Sequence, residues 1–429
     1  MKQLIKKIIP RQLFEAIEPI GHKLEAMIYS FKYGRPAKNL RIIGVTGTNG
    51  KTTTSFMIHK MLHEAGYSVA LMTTVASGLG GDIKPQQSHV TTLSSPELNK
   101  QIAQLRDQGA EWLVLETTSH ALAQNRTWGI PFEVAVLTNI THEHLDYHKT
   151  FEKYAQAKRK MFKIAGKNRR GYAIVNADDQ LSAQFLEATK RGISYGIGKG
   201  DLKADNINLS SQGSRYLAKI DEIQYDINCH IPGKFNVSNS LAAVGVGWHL
   251  GLSPEQIEQG IASLKSVEGR MANLEAGQKF SVVIDFAHTP DSFDLLLSDL
   301  RASTKGKLIV LFGSAGRRDQ SKRWTQGEIA GKYADELVLT EEDDRDQDGQ
   351  LILSQIAKGA ERSGKQSGKD MFLILDRTEA IRFAMTRAKS ADDTVVLLGK
   401  GHEKTIERAD GEHPWNEFEE AKKAIKSLN

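Results

Sequence analysis

Residues 44–54, Gly-Val-Thr-Gly-Thr-Asn-Gly-Lys-Thr-Thr-Thr, place glycines, a lysine and hydroxyls at a spacing suited to holding phosphate. An apolar run from Leu40 to Val45 reads as a buried strand, and a glycine-rich turn follows it. Gly50, Lys51 and Thr52 then open a helix-compatible stretch that reaches Leu62. In that layout the backbone N–H groups of Gly47, Thr48, Asn49 and the helix N-terminus cradle phosphate oxygens. Lys51 brings positive charge, and the Thr52 hydroxyl can ligate Mg²⁺. The loop restricts the chemistry to work driven by a nucleotide. The general pattern has Gly five residues before Gly50, and Val45 stands there instead.

Glu116 closes a second apolar run, Trp112-Leu-Val-Leu-Glu116. A carboxylate at a strand end can share a Mg²⁺ with Thr52. A solvated strand end is the plainer reading of a lone Glu, but Thr117-Thr118-Ser119-His120 directly after it favours function. The next run, Val134–Thr138, leads into Asn139-Ile-Thr-His142-Glu143-His144-Leu-Asp146-Tyr-His148. Three histidines and two acids within seven residues suggest a metal or phosphate site. Their spacing fits zinc poorly, and oxygen-rich surroundings favour Mg²⁺. Lys158, in Tyr154-Ala-Gln-Ala-Lys158, reads from composition as an ordinary basic residue of an amphipathic helix. Asn236 and Asn239, three apart at a helix start, can either turn both amides to one ligand or cap the helix.

The elements that must position these groups alternate. Short apolar strands at 40–45, 69–73, 112–116, 134–138 and 172–176 are separated by helical patterns such as 96–108 and 151–164. This predicts a mostly parallel sheet covered by helices, with ligands at the carboxyl ends of its strands. Residues 201–230 read as a β-rich appendage, followed by a helix over 237–250. A second α/β series begins near Gly269, with strands at 282–286, 308–312, 336–340, 372–375 and 395–398. The domains are therefore expected at 1–38, 39–267 and 268–429.

At 429 residues the chain is long enough for two or three cores. With 40% hydrophobic and 25% charged residues it has an ordinary globular composition, and no apolar run is long enough for a membrane span. The first ten residues make a poor signal peptide, and the single Cys229 excludes an internal disulfide and a cysteine-based zinc site. A cytoplasmic, monomeric protein is expected. Residues 1–38 read as two short amphipathic helices with eight Lys/Arg against three Glu, which accounts for the whole net charge of +5. A solvated basic surface is the plain reading; residues 1–30 also suit weak association with an acidic membrane face. No basic stripe interleaved with aromatics marks a nucleic-acid surface.

Taken together, the blocks resemble the Mur ligase family, its muramyl tripeptide synthetase branch in particular. They are 44–54, Glu116-Thr-Thr-Ser-His-Ala-Leu with Arg126, 138–148, Ala157-Lys158, Gly233-Lys-Phe-Asn-Val-Ser-Asn239, Gly269-Arg-Met271, Asp285-Phe-Ala-His-Thr-Pro290 and Gly399-Lys-Gly-His-Glu403. They occur in family order over most of the chain. The resemblance implies a central P-loop ATPase-like domain, a C-terminal Rossmann-like domain, and an ATP-dependent amide ligase working through an acyl phosphate. It implies one Mg²⁺ with Thr52 and Glu116, and a second with His144 and a carbamylated Lys158. Lys51 and Asn139 match phosphate-side groups, and Gly47, Thr48, Asn49, Gly50 and Thr53 match the rest of the ATP loop. Asn236 and Asn239 match adenine contacts, and Arg270 and Asp285 match phosphate and ribose contacts. Thr91, Thr92, Thr118, Ser119, Gln124 and Arg126 match contacts to a UDP-muramyl dipeptide. Arg318, Asp343, Arg345, Gly399 and Glu403 match contacts to an incoming diamino acid.

Two departures stand out. The diaminopimelate branch has Asp-Asn-Pro-Arg where this chain has Glu342-Asp343-Asp344-Arg345. The added acids favour a distal amine, as in lysine, whereas Arg345 favours a distal carboxylate; diaminopimelate carries both. Residues 1–38 also stand where the family has a longer UDP-binding domain. The acceptor is therefore expected to be a UDP-sugar held by a reduced site, or a folate-type acceptor. A non-catalytic nucleotide-binding regulator has no reason to carry Lys158, His144 and the 399–403 block together.

Overall fold

The computed structural model describes residues 11–86, 92–141, 143–210, 212–318 and 320–428. These divide into two compact units, one made of Met1–Ile207, Arg215–Cys229 and Asn236–Leu264, the other of Asn208–Ser214, His230–Phe235 and Lys265–Asn429.

The first unit is built on strands β1 (Arg41–Thr46), β2 (Val69–Met72), β3 (Ala76–Leu79), β4 (Asp82–Pro85), β5 (Trp112–Glu116), β6 (Phe132–Leu137), β7 (Tyr172–Asn176), β8 (Gly192–Ile197), β9 (Leu202–Ser210), β10 (Gly213–Ile220) and β11 (Ile223–Cys229). They form one sheet in the order β11-β10-β9-β8-β7-β6-β1-β5-β2-β3-β4. The pairs of β1 with β5 and β6 are parallel, as are β2 with β5 and β6 with β7. Helices on both faces bury β5 and β6 along their whole length, which is why these strands read as unbroken apolar runs. The central place of β1 matters for the site. Val45 is in register with Glu116 and Thr46 with Leu137. The loop after β1 therefore emerges between the end of β5 and the segment that follows β6.

One expectation is corrected. The 201–230 segment is not an appendage, because β9, β10 and β11 continue the main sheet. The short alternation seen in sequence is that of strands with one face toward solvent, as the burial of β10 and β11 shows. Residues 1–10 of the amino-terminal segment lie outside the described residues, and from Arg11 one helix runs to Lys32, carried through Pro19. A helical period persists on both sides of the proline, and burial of Ala26 and Ser30 holds the helix beside helix Ser95–Asp107. Such packing offsets the hydrogen bond that Pro removes. The antiparallel β2-β3-β4 meander was not foreseen, because β3 and β4 are four residues each and carry no apolar run.

In the second unit, β12 (Ala272–Asn273), β13 (Ser281–Asp285), β14 (Leu308–Phe312), β15 (Glu336–Leu339), β16 (Met371–Leu373) and β17 (Thr394–Leu398) form a sheet in the order β12-β13-β17-β14-β15-β16. All its neighbours are parallel except β12 and β13. Ile284, Ile309, Leu311, Val338, Val395 and Leu397 supply its core with the helices around it. Strand β17 lies between β13 and β14, so the loops after these three strands share one edge. A separate hairpin pairs β18 (Thr405–Arg408) with β19 (Gly411–Pro414). Arg377 is fully buried against Glu417, at 2.6 Å, and donates to the carbonyls of Glu341 and Leu398. It thereby ties the loops after β15 and β17 to the helix Glu417–Lys426. Among the described residues no helix is long and apolar enough to cross a membrane.

Candidate active site

The phosphate loop is shaped by Gly50, whose φ of 81° starts the helix Lys51–Glu64. A Cβ at this position would collide with the Asn239 side chain, so a larger residue is excluded on two grounds. Thr52 Oγ1 donates to both carboxylate oxygens of Glu116, at 3.1 and 3.0 Å. The Thr74 N–H also donates to Glu116, at 3.0 Å. Glu116 is buried.

Asn139 clamps the loop from the other side. Its Oδ1 accepts from the Asn49 N–H at 2.9 Å, and its Nδ2 donates to the Asn49 carbonyl at 3.1 Å. The Asn49 Nδ2 is itself buried with no hydrogen-bond partner. An orphaned donor inside a glycine-rich loop fits an anionic oxygen from a ligand. Lys51 Nζ donates to the carbonyls of Gly47 and Thr48, at 3.1 and 2.7 Å. Thr53 is buried on the same helix.

Lys158 is almost completely buried. Its Nζ donates to the Gly47 carbonyl at 2.5 Å and lies 4.6 Å from the centre of the Tyr154 ring. Burial, and then the positive charge of Lys51, push its amine well below the usual lysine range. Tyr154, one turn earlier on helix Phe151–Ala165, is buried; its hydroxyl meets Thr48 Oγ1 at 2.9 Å and Glu143 at 3.4 Å. Burial, then Glu143, keeps that phenol protonated. His144, at φ 55°, approaches Glu143 at 3.7 Å and stacks edge-on to His120. Glu143 belongs to the cluster read from sequence as a metal or phosphate site, whereas Tyr154 was not singled out. The four-residue step from Tyr154 to Lys158, which puts both on one helix face, was the available signal.

The donor set present fits Mg²⁺ at Thr52 and Glu116; at Lys158 it would do so only once the amine carries a carbamate. A hydroxyl and a carboxylate at a phosphate loop are how this ion is usually held, with phosphate oxygens completing the shell. Among the described residues no three His, Cys, Asp or Glu gather into a metal site of their own. His142 lies outside the described residues.

Next to the loop, Thr92 Oγ1 and Thr118 Oγ1 meet at 3.2 Å. Thr118 caps the short helix Ser119–Ala123 by accepting from the Ala121 N–H. Ser119 Oγ meets His148 Nε2 at 3.0 Å. Arg126 donates to Gln124 Oε1 at 2.7 Å and to the Thr92 carbonyl at 2.9 Å. Five of the six expected acceptor contacts are thus brought together, and His148 joins them; Thr91 lies outside the described residues. Asn239 Nδ2 donates to Asn236 Oδ1 at 2.8 Å, and Asn239 Oδ1 accepts from Thr54 at 3.3 Å. These contacts bring the asparagine pair to the base of the phosphate-loop helix.

In the second unit, Asp285 accepts from the N–H groups of Met271 and Ala287, both at 2.7 Å. Burial raises its pKa, and Arg270 opposes that rise. The Arg270 guanidinium lies over the Phe286 ring. Lys400 is buried between Asp343 at 2.8 Å and Glu403 at 2.7 Å. Arg345 donates to Glu407 Oε2 at 2.7 Å and to the Gly316 carbonyl at 2.5 Å. Gly399 has φ 100°, and a Cβ there would meet the Glu342 carboxylate at 2.6 Å. Arg318 is exposed before the helix Ser321–Tyr333.

Asp344 gives a pH-dependent expectation. Burial, then Glu341 and its acidic neighbours, raise its pKa from 3.8 to about 6, and its Oδ1 is buried without a partner. The folded state therefore holds this proton more tightly than the unfolded chain, and stability falls as pH rises from about 4 to 6. Replacing Asp344 with Asn is expected to stabilise the protein by about 1 kcal/mol at neutral pH, after allowance for solvent screening. The gain should vanish near pH 4. Thermal unfolding across that range measures it, and a pH-independent difference would contradict the assignment.

A nucleotide loop bracketed by a strand-end carboxylate and a buried lysine, with a separate α/β unit after it, defines a class of nucleotide-driven enzyme. The Mur ligase middle domain matches residues 45–247, and the Mur ligase glutamate ligase domain matches residues 269–401. The chain belongs to the Mur ligase family and is an ATP-dependent ligase. It is 38% identical over 410 residues to UDP-N-acetylmuramyl-tripeptide synthetase of Roseiflexus sp., covering 92% of this chain and 80% of that one. It is 36% identical over 406 residues to UDP-N-acetylmuramoyl-L-alanyl-D-glutamate–2,6-diaminopimelate ligase of Bacillus cereus, covering 93% and 81%. A solved structure of such a diaminopimelate ligase superposes with a TM-score of 0.66 at 29% identity, over 96% of this chain and 83% of that one. Mycobacterium tuberculosis folylpolyglutamate synthase, at 14% identity, shares the fold with a TM-score of 0.73 over 96% and 98% of the two chains.

Proposed function

We propose that this ligase adds meso-diaminopimelate to UDP-N-acetylmuramoyl-L-alanyl-D-glutamate in the cytoplasm, as a monomer, during peptidoglycan precursor synthesis. Residues 39–267 serve the acceptor and most of ATP, and residues 268–429 serve the amino acid and contribute Arg270 and Asp285. The observation that carries this reading is the convergence of Glu116 and Lys158 on the loop 47–52.

Joining a carboxylate to an amine requires activating the carboxylate, here as an acyl phosphate made from ATP. Mg²⁺, when bound, offsets the charge of the phosphates. Thr52 and Glu116 hold it, and the loop N–H groups with Lys51 orient the terminal phosphate. Arg126 and the Thr92–Thr118 pair position the acceptor's carboxylate end, with Ser119 and Gln124 beside them. Lys158, whose amine burial pushes toward the neutral form, is able to add CO₂; as a carbamate it would be an anion able to hold a second Mg²⁺ with His144. Asn236 and Asn239 serve the adenine, and Arg270 and Asp285 the phosphate and ribose. Asp343, Gly399, Glu403, Arg318 and Arg345 receive the diamino acid, the acids facing its distal amine and Arg345 its distal carboxylate.

A second reading, lysine as the added amino acid, has one observation in its favour. Arg345 already pairs with Glu407 at 2.7 Å, so a distal carboxylate must share that guanidinium. ADP release by the pure protein with the UDP-muramyl dipeptide and a panel of amino acids separates the readings. Turnover is expected with meso-diaminopimelate above lysine. The reverse order selects lysine, and no turnover with any amino acid points to a non-UDP acceptor.

A further inference from the structure

The helix Arg11–Lys32 carries an apolar ridge that neither the catalytic loop nor the acceptor residues use. Ile20, Leu24, Ile28 and Phe31 are 59%, 54%, 63% and 53% exposed. At about 100° per residue these four positions fall within roughly 80° of arc, one continuous stripe along the helix. The other large apolar side chains that are exposed among the described residues are scattered over both units. Single exposed apolar residues are ordinary, whereas an aligned set marks a surface that something covers.

Among residues 18–32 the exposed charges beside the ridge are basic. Lys23 and Lys32 are exposed and flank it on either side. Glu18 and Glu25 are half-buried and lie about 60–80° beyond the Ile28 edge of the ridge, past Lys32, where both face His22, at 3.7 and 3.6 Å. Beyond the helix end, the Arg35 guanidinium lies over the Phe31 ring, and Lys38 is exposed. Residues 1–38 hold the chain's entire net charge of +5. A second copy of this chain is a poor occupant for such a face. A symmetric pairing would bring two positive segments together, and the rest of the chain has no net charge to attract them.

We infer that this helix is an interfacial docking element, laying the Ile20–Leu24–Ile28–Phe31 ridge into the headgroup boundary of an anionic lipid bilayer. Lys23 and Lys32 sit at the level of the phosphates, their aliphatic stems along the apolar boundary and their charges toward the headgroups. Apolar burial and charge attraction each contribute, so both are needed for stable association.

Co-sedimentation of the full-length protein with phosphatidylcholine vesicles, with and without phosphatidylglycerol, tests this. Binding is expected only with the anionic lipid and should weaken as salt is raised. The triple variant Ile20→Ser, Leu24→Ser, Ile28→Ser, and separately Lys23→Glu with Lys32→Glu, should each reduce binding at least about ten-fold. Both sets are exposed, so ATP-dependent ligation should persist and report an intact fold. Binding to neither vesicle, or anionic binding that the serine variant leaves unchanged, would overturn the inference. So would a dimer that the serine variant dissociates, since a second copy would then be the occupant.

Discussion

Replacing Lys158 with Ala is expected to lower ligation by about 10³-fold while the protein still binds nucleotide. Lys158 is buried, touches the loop through the Gly47 carbonyl, and is held under the Tyr154 ring. An ammonium in that setting is disfavoured by burial and by Lys51, so the neutral amine is favoured at a pH where an exposed lysine stays charged. Only the neutral amine can add CO₂. The wild-type rate should therefore fall as pH is lowered through the depressed value, as protonation removes the reactive form. Added bicarbonate should restore part of it. In the Ala variant bicarbonate should do nothing, whereas a small carboxylic acid should recover some activity by standing in for the carbamate. Unchanged turnover in the variant, or loss of nucleotide binding in step with turnover, would refute the role.

Glu116→Gln is expected to reduce kcat by about 10²-fold or more and to raise the Mg²⁺ concentration needed for half-maximal rate. Gln keeps the shape and can still accept from Thr52 and the Thr74 N–H, so the fold should hold and the loss should report the missing charge. Thr52→Ala should give a smaller loss, about ten-fold. Because Thr52 and Glu116 are hydrogen-bonded, the double variant should fall short of the product of the two. A Mg²⁺ titration of initial rates decides the matter. An unshifted Mg²⁺ requirement in Glu116→Gln would place the ion elsewhere.

Much of this site was legible in the residues themselves. A strand, a glycine turn and Gly-Lys-Thr specify local backbone geometry, so the loop at 44–54 could be read without knowing its neighbours. Glu116 was legible because a carboxylate that ends an apolar strand of a parallel sheet stands at the edge where ligands gather. Lys158 was not, since an amphipathic helix hides which of its basic residues will be buried; only the family resemblance singled it out. Tyr154 was missed for the same reason, its meaning depending on a contact with Thr48 across more than a hundred residues. The helix Arg11–Lys32 continues through Pro19, a residue that locally favours a break, because packing on a neighbouring helix offsets it.

The sequence by itself determined most of the elements, the phosphate loop and the family of reaction, because strand runs, turn glycines and hydroxyl spacing act within a few residues. Tertiary structure alone decided which groups share a site. Placing β1 between β5 and β6 brings Glu116 and Asn139 to opposite sides of one loop. Packing helix Phe151–Ala165 beneath that loop buries Lys158 and changes its acidity. Such effects come from desolvation and from charges distant in sequence, and no local pattern encodes either.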